Sequence, residues 1–217
     1  MGMKRTTLEA VAIWAGLLGA TVIALGSVIT AIGYTGSKGQ SYSPLNHFVS
    51  ELGETGVSDL APVFNLGLNI GGVCFVVFII GLAATRAGRL RFAYGLTGVV
   101  AGVGGFFVGV FPMNDLDRHG VAALTFFVLG LVTVLLASID FARAGDPRFP
   151  RWLSIIGAAT VAAFGAFLVI LTGEASGLAH PDERAAIWPL TIFEWLLIVG
   201  ILIWVFLTAV TWRRAMR

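Results

Sequence analysis

The chain has 217 residues, of which 57% are hydrophobic, 12% are charged and 28 are glycine, and its mean hydropathy is +0.90. A soluble domain carries about 25% charged residues, so the composition excludes an ordinary soluble enzyme. It also excludes a disordered chain, because so much apolar surface cannot stay hydrated. The net charge is only +2, and the basic residues lie in short segments between apolar stretches, which argues against nucleic-acid binding.

Six apolar stretches are each long enough, at about 20 residues, to cross a bilayer as a helix. They cover residues 8–33, 61–85, 92–111, 121–141, 153–172 and 189–211. The first is longer than the apolar part of a signal peptide, which favours a retained helix. In the loop 34–60, residues 44–52 are predicted to form a short interfacial helix, with Ser43 and Pro44 at its start and Gly53 at its end. The sequence therefore predicts an all-α, polytopic integral membrane protein with a single six-helix transmembrane domain over residues 1–217.

The basic residues collect on one side of these spans. That side holds eleven of the 14 lysines and arginines: Lys4, Arg5, Arg86, Arg89, Arg91, Arg143, Arg148, Arg151, Arg213, Arg214 and Arg217. The other side holds only Lys38, Arg118 and Arg184. By the positive-inside rule, both termini of this multi-pass protein are expected in the cytoplasm.

Glycines four residues apart recur in the second and third spans. The pairs are Gly67/Gly71, Gly98/Gly102 and Gly105/Gly109. Such pairs let helix backbones approach closely, and their general use favours packing within one chain. The alternative is a glycine-rich face that binds a protein partner or a second copy in a homo-oligomer. Membrane lipids are the other expected partners.

The histidines all lie on the side opposite to the basic residues, each with an acid about one helical turn away. The pairs are His47 with Glu51, Asp115 with His119, and His180 with Glu183. Imidazole and carboxylate groups suit zinc or a similar divalent metal, so the three histidines are candidate metal ligands. In the alternative interpretation the acids cap helices and the histidines are solvated; Asn114 and Asp117, for example, suit the start of the fourth span.

Further polar residues lie on the same side. Ser50, Asn65, Asn69 and Glu174 are candidate ligand-binding residues, and Glu51, Asp115 and Glu194 are candidate catalytic residues. Glu194 falls inside the sixth span, where an ionisable group is functional by default or else paired. Its expected partners are His119, His180 or Arg184, and a carboxyl group at this depth suits a proton carrier or general acid.

Several motifs point to a known family. They are residues 42–53 (YSPLNHFVSELG), 64–67 (FNLG), 109–112 (GVFP), 114–115 (ND) and 119–120 (HG). Together they resemble the bacterial and archaeal membrane family known as domain of unknown function 998. The resemblance implies six membrane helices in a prokaryotic plasma membrane and a polar outer-leaflet site at Ser50, Glu51, Asp115 and His119, with no settled activity. A more distant similarity is to Frag1/DRAM-like membrane proteins, some of which are linked to lipid remodelling or sensing.

Two classes of function follow. In the first, the protein binds or processes a lipid or small molecule at the outer face. An enzymatic form of this would be metal-assisted hydrolysis, with Glu51 or Asp115 activating water. Ser50 lacks the Gly-x-Ser-x-Gly context of a nucleophile. In the second, the protein is a non-catalytic subunit, assembly factor or sensor of a larger membrane complex. A transporter is the third hypothesis. Transporters carry polar groups near the membrane midplane, whereas the polar residues of this sequence lie at one face.

Overall fold

A computed structural model describes residues 2–174 and 185–217, and their regular structure is helical. The six long helices are α1 (Gly2–Ile32), α2 (Ala61–Thr85), α3 (Leu90–Val110), α4 (Leu116–Ala144), α5 (Trp152–Glu174) and α6 (Pro189–Ala215). All six are long and apolar enough to cross a membrane. The described residues contain no β-strand, only one isolated bridge between Thr55 and Ser58. The prediction of an all-α, six-span membrane protein is confirmed.

The start of α4 differs from the prediction for a local reason. The helix begins at Leu116, five residues before the predicted span, because the Asp115 side chain accepts a hydrogen bond from the Arg118 main-chain N–H at 3.3 Å. This cap carries the helix through a polar first turn that hydropathy alone excludes. Asn114 instead bonds to the main chain of Thr55, with its Oδ1 accepting at 2.8 Å and its Nδ2 donating at 2.9 Å. The cap is thus Asp115 rather than Asn114, while Asp117 lies in the first turn of α4 as expected.

The predicted interfacial helix at 44–52 is replaced by two smaller features. A turn follows Ser43, whose carbonyl accepts from the His47 N–H at 2.9 Å. A 3₁₀ helix then covers Val49–Gly53. Gly53 is its last residue, as expected, and the Asn65 side chain donates to the Gly53 carbonyl at 2.9 Å. A local turn and a tertiary contact from α2 therefore shape this segment in place of a continuous helix.

The helices form a closed ring. Each packs against its neighbours in the chain, and α1 also packs against α6. The N-termini of α2, α4 and α6 lie on one face, together with the loop 33–60; we call this the loop face. The opposite face, where Arg86 and Arg148 lie, we call the arginine face.

Glycines hold α2 close to both of its neighbours. A Cβ on Gly72 would lie 2.7 Å from the Phe106 main-chain nitrogen of α3, and one on Gly109 would lie 2.5 Å from the Asn65 carbonyl oxygen of α2. Gly67 instead faces the Val22 carbonyl of α1, at 3.5 Å. The approaches at Gly72 and Gly109 leave no room for a side chain, whereas the distance at Gly67 is an ordinary van der Waals contact. The glycines of the second and third spans thus pack helices within the chain.

An ion-pair network joins the helices at the arginine face. The guanidinium of Arg86 lies 2.7 Å from Asp140 of α4 and 2.6 Å from Asp146 in the following loop. Arg148 lies 2.8 Å from Asp146 and 3.6 Å from Glu9 of α1. The three acids that the sequence places on this side are thus all in the network. It connects α1, α4 and the two short loops.

Candidate functional site

The ring of helices surrounds a cavity of about 430 Å³, to which all six helices contribute. Its wall is mainly apolar. Small residues of α1, α2 and α3, such as Gly19, Gly71 and Gly105, line one side, and aromatic residues such as Phe127 and Phe167 line the other. Three polar side chains, those of Ser50, His119 and Glu194, also line it. Ser50 lies in the 3₁₀ helix, and the other two lie near the starts of α4 and α6, so the polar end of the cavity is at the loop face.

Glu194 fastens the first loop over this end of the cavity. Its side chain is buried, and its Oε2 accepts a hydrogen bond of 2.7 Å from the Val49 N–H. The preceding N–H, that of Phe48, donates to Oε1 of Glu51 at 2.7 Å. Two buried carboxylates therefore hold consecutive main-chain groups. The sequence suggested His119, His180 or Arg184 as the partner of Glu194. Its hydrogen-bond partner is the Val49 N–H and not His119, and His180 and Arg184 lie outside the described residues.

Tyr42 reinforces the same segment. Its hydroxyl donates to the Phe48 carbonyl at 2.8 Å and accepts from the Trp195 indole N–H at 2.9 Å. Burial, and then the negative charge of Glu194, raise the pKa of the Tyr42 hydroxyl well above its ordinary value. The hydroxyl therefore keeps its proton and remains a donor. Tyr42 and Trp195 connect the loop to α6 beside Glu194.

His119 presents a hydrogen-bond acceptor. Its Nδ1 lies 2.8 Å from the Phe111 carbonyl oxygen. Because a carbonyl can only accept, Nδ1 carries the proton and Nε2 of the neutral ring is the acceptor. The predicted pairing with Asp115 is absent, since the Asp115 carboxylate lies 3.3 Å from Arg118 instead. His119 is buried and lines the cavity, whereas Asp115 does not.

His47 lies outside the cavity lining. Its Nδ1 is 3.2 Å from both the nitrogen and the oxygen of the Ser43 main chain. Its ring packs on Tyr34 and Tyr42, with centroid distances of 5.7 Å and 5.2 Å. These contacts make His47 part of the aromatic cluster that shapes the loop.

The structure does not assemble the predicted metal site from the residues that it describes. Among these, no group of three or more His, Cys, Asp or Glu side chains could hold a metal ion. His180 lies outside the described residues, so the three-histidine zinc site stays a prediction. Glu174 is the last residue of α5, and its side chain is also outside the described part.

The two asparagines of α2 have structural contacts. The amide of Asn65 donates to Gly53, and the amide of Asn69 donates to the Phe106 carbonyl of α3 at 2.8 Å. Neither side chain lines the cavity. Ser50 does line it, and its hydroxyl donates to the Met113 sulfur at 3.2 Å. The Ser50 hydroxyl thus has no bond to a histidine that would activate it as a nucleophile.

Sequence reasoning missed the cavity and the roles of Tyr42, Trp195 and Gly120. Gly120 lines the cavity, and a Cβ there would meet no atom within 4 Å. One signal was available for Trp195: it is adjacent to Glu194, inside a span, and an indole N–H within a membrane needs an acceptor.

A family model described as a protein of unknown function (DUF998) matches residues 22–211, from within α1 to near the end of α6. No curated protein and no solved structure matches the chain significantly.

Proposed function

The chain belongs to the DUF998 family of unknown function, and we propose that it binds a lipid or a similar amphipathic molecule inside the ring of helices. The observation that carries this proposal is the cavity of about 430 Å³, whose polar side chains all lie at one end. Ligand sites in proteins measure roughly 300–1,000 Å³ and combine apolar walls with a few convergent polar groups. The apolar part of the ligand would lie among the helices.

The depth of the polar end suits a lipid head group. His119 is the fourth residue of α4 and Glu194 the sixth of α6. At about 1.5 Å per residue, they lie roughly 5 to 8 Å below the helix starts. This is close to the boundary between the hydrocarbon and the head groups of a bilayer. A bound amphiphile would therefore keep its head at the level it occupies in the membrane.

A cavity-filling substitution tests the proposal. Gly120→Leu places a side chain at the cavity wall, where a Cβ has open space. Gly165→Leu is the matched control, because Gly165 of α5 also has no atom within 4 Å of a Cβ and does not line the cavity. Lipid carried through purification in mild detergent is then counted by native mass spectrometry.

We expect the wild-type chain and Gly165→Leu to carry a bound lipid and Gly120→Leu to carry about tenfold less, since overfilling costs about 1–3 kcal/mol. Equal lipid in the two glycine variants would contradict the proposal, as would a wild-type chain without lipid.

A further inference from the structure

The polar end of the cavity presents hydrogen-bond acceptors. Oε2 of Glu194 is occupied by the Val49 N–H, which leaves Oε1 without a hydrogen-bond partner among the described residues. His119 presents Nε2 as an acceptor, because its Nδ1–H donates to the Phe111 carbonyl. The Ser50 hydroxyl donates its hydrogen bond to the Met113 sulfur, so its oxygen lone pairs can still accept one. A ligand head group at this end must therefore be a hydrogen-bond donor.

The charge that this end can carry is negative, because its ionisable lining side chains among the described residues are Glu194 and the neutral His119. No lysine or arginine of the described residues lines the cavity. Arg118, next to His119, has a side chain that is 69% exposed and is bound to Asp115. Glu51 adds a second buried carboxylate, bonded to the main-chain N–H beside that of Val49. An anionic head group would therefore be repelled, and a cationic one attracted.

A buried carboxylate without a cation is costly. Glu194 is 5% exposed and forms no ion pair with any described residue. In an apolar surrounding, such a charge is stabilised only by a partner charge together with hydrogen bonds. The Val49 N–H supplies one hydrogen bond and no full positive charge. A ligand cation that also donates hydrogen bonds would supply what the described residues do not.

Resting on the proposed function above, we propose that the ligand is an amphiphile whose head is a protonated amine, bound by Glu194, His119 and Ser50 with its chain in the cavity. An ammonium group has three N–H donors and one positive charge, which matches the acceptors and the carboxylate of the site. A phosphate or carboxylate head has neither property.

Three probes with the same alkyl chain test the head-group class: dodecylamine, dodecanol and dodecanoate. The full chain is placed in lipid nanodiscs, and each unlabelled probe competes with tritiated dodecylamine. Binding to Gly120→Leu gives the background that does not involve the cavity. We expect dodecylamine to compete about tenfold better than dodecanoate, as about 1.4 kcal/mol of charge-assisted bonding would give, with dodecanol between them.

Glu194→Gln removes the charge and keeps the shape of the side chain. We expect it to abolish the preference for the amine, while direct binding of tritiated dodecanol stays unchanged and shows that the cavity is intact. Asp115→Asn removes a carboxylate on the same face but outside the cavity, and it should keep the preference.

Dodecanoate competing as well as the amine would overturn the amine assignment, and so would an unchanged amine preference in Glu194→Gln. In either case the cavity would still bind an amphiphile. If none of the three probes binds the wild type better than Gly120→Leu, the proposed function itself fails, and the amine assignment fails with it.

Discussion

Single side chains of this protein hold main-chain groups that lie far away in the sequence. Glu194 and Val49 are 145 residues apart, yet their hydrogen bond of 2.7 Å closes the first loop over the cavity. At the other face Asp146 accepts from both Arg86 and Arg148. Charges that are wholly or partly buried stabilise a fold only as complete sets, because removing one partner leaves the other without compensation.

Asp146 gives a prediction about pH. Burial tends to raise the pKa of this carboxyl, but hydrogen bonds from the Arg148 side chain and main chain, with the charges of Arg148 and Arg86, outweigh it and lower the pKa. A lowered pKa in the folded state means that the stabilisation is complete above the ordinary pKa and is lost as the pH falls through the lowered one. We expect Asp146→Asn to lower the melting temperature in detergent at neutral pH, and the difference from wild type to shrink on acidification.

The control for this experiment is Asp59→Asn, since Asp59 is exposed on the loop face. It should change the free energy of unfolding by no more than about 0.5 kcal/mol, so its melting temperature should stay close to that of the wild type. A difference between Asp146→Asn and wild type that is constant over the whole pH range would refute the role given to the Asp146 charge.

At the scale of helices, close backbone contact places α2 against α3. A Cβ on Gly72 would lie 2.7 Å from the Phe106 nitrogen and 2.8 Å from the Gly102 carbonyl oxygen. These are main-chain atoms, so only a shift of a whole helix could relieve the clash. We expect Gly72→Ala to destabilise the fold by about 1–3 kcal/mol, measured as a lower melting temperature in detergent.

Gly165→Ala is the matched control for this helix contact. It should be neutral or stabilise the protein by up to about 1 kcal/mol, because alanine favours the helix and nothing lies within 4 Å of the new Cβ. If both variants melt together, the α2–α3 contact does not depend on Gly72.

The helices could be predicted from the sequence because hydropathy acts over windows of about 20 residues. The limits of α2 agree with the predicted 61–85, whereas α4 begins earlier, where the Asp115 cap adds a polar turn, and ends at Ala144 rather than 141. The site was harder to predict. Glu194 was evident as an acid in an apolar span, but its partner is the N–H of Val49. Every residue except proline has such an N–H, so the sequence does not indicate which one will donate.

Helical spacing was also a poor guide to the histidines. His119 and Asp115 are four residues apart, yet Asp115 turns back to cap α4 and His119 bonds to Phe111, which lies before the helix. Competing main-chain partners at a helix start decided both contacts. The cavity depends on six helices at once, and no local pattern reports such an assembly.

The whole molecule has two chemically different ends. The loop face presents the acceptors of Ser50, His119 and Glu194 to the cavity, whereas the arginine face is closed by the ion pairs of Arg86 and Arg148. An amphiphile would thus find a polar site on one face only. Which leaflet supplies it depends on the orientation of the chain, and the excess of arginine on the other face favours a cytoplasmic location for that face.

Cysteine labelling in intact cells tests this orientation. On a Cys74→Ser background, which removes the only native thiol, one cysteine replaces Lys38 of the loop face or Arg89 of the arginine face, both exposed. We expect a membrane-impermeant maleimide to label Lys38→Cys in intact cells and Arg89→Cys only after permeabilisation, because positively charged loops stay in the cytoplasm. The reverse pattern would place the polar end of the cavity at the cytoplasmic leaflet, and the proposed ligand would then enter from that side.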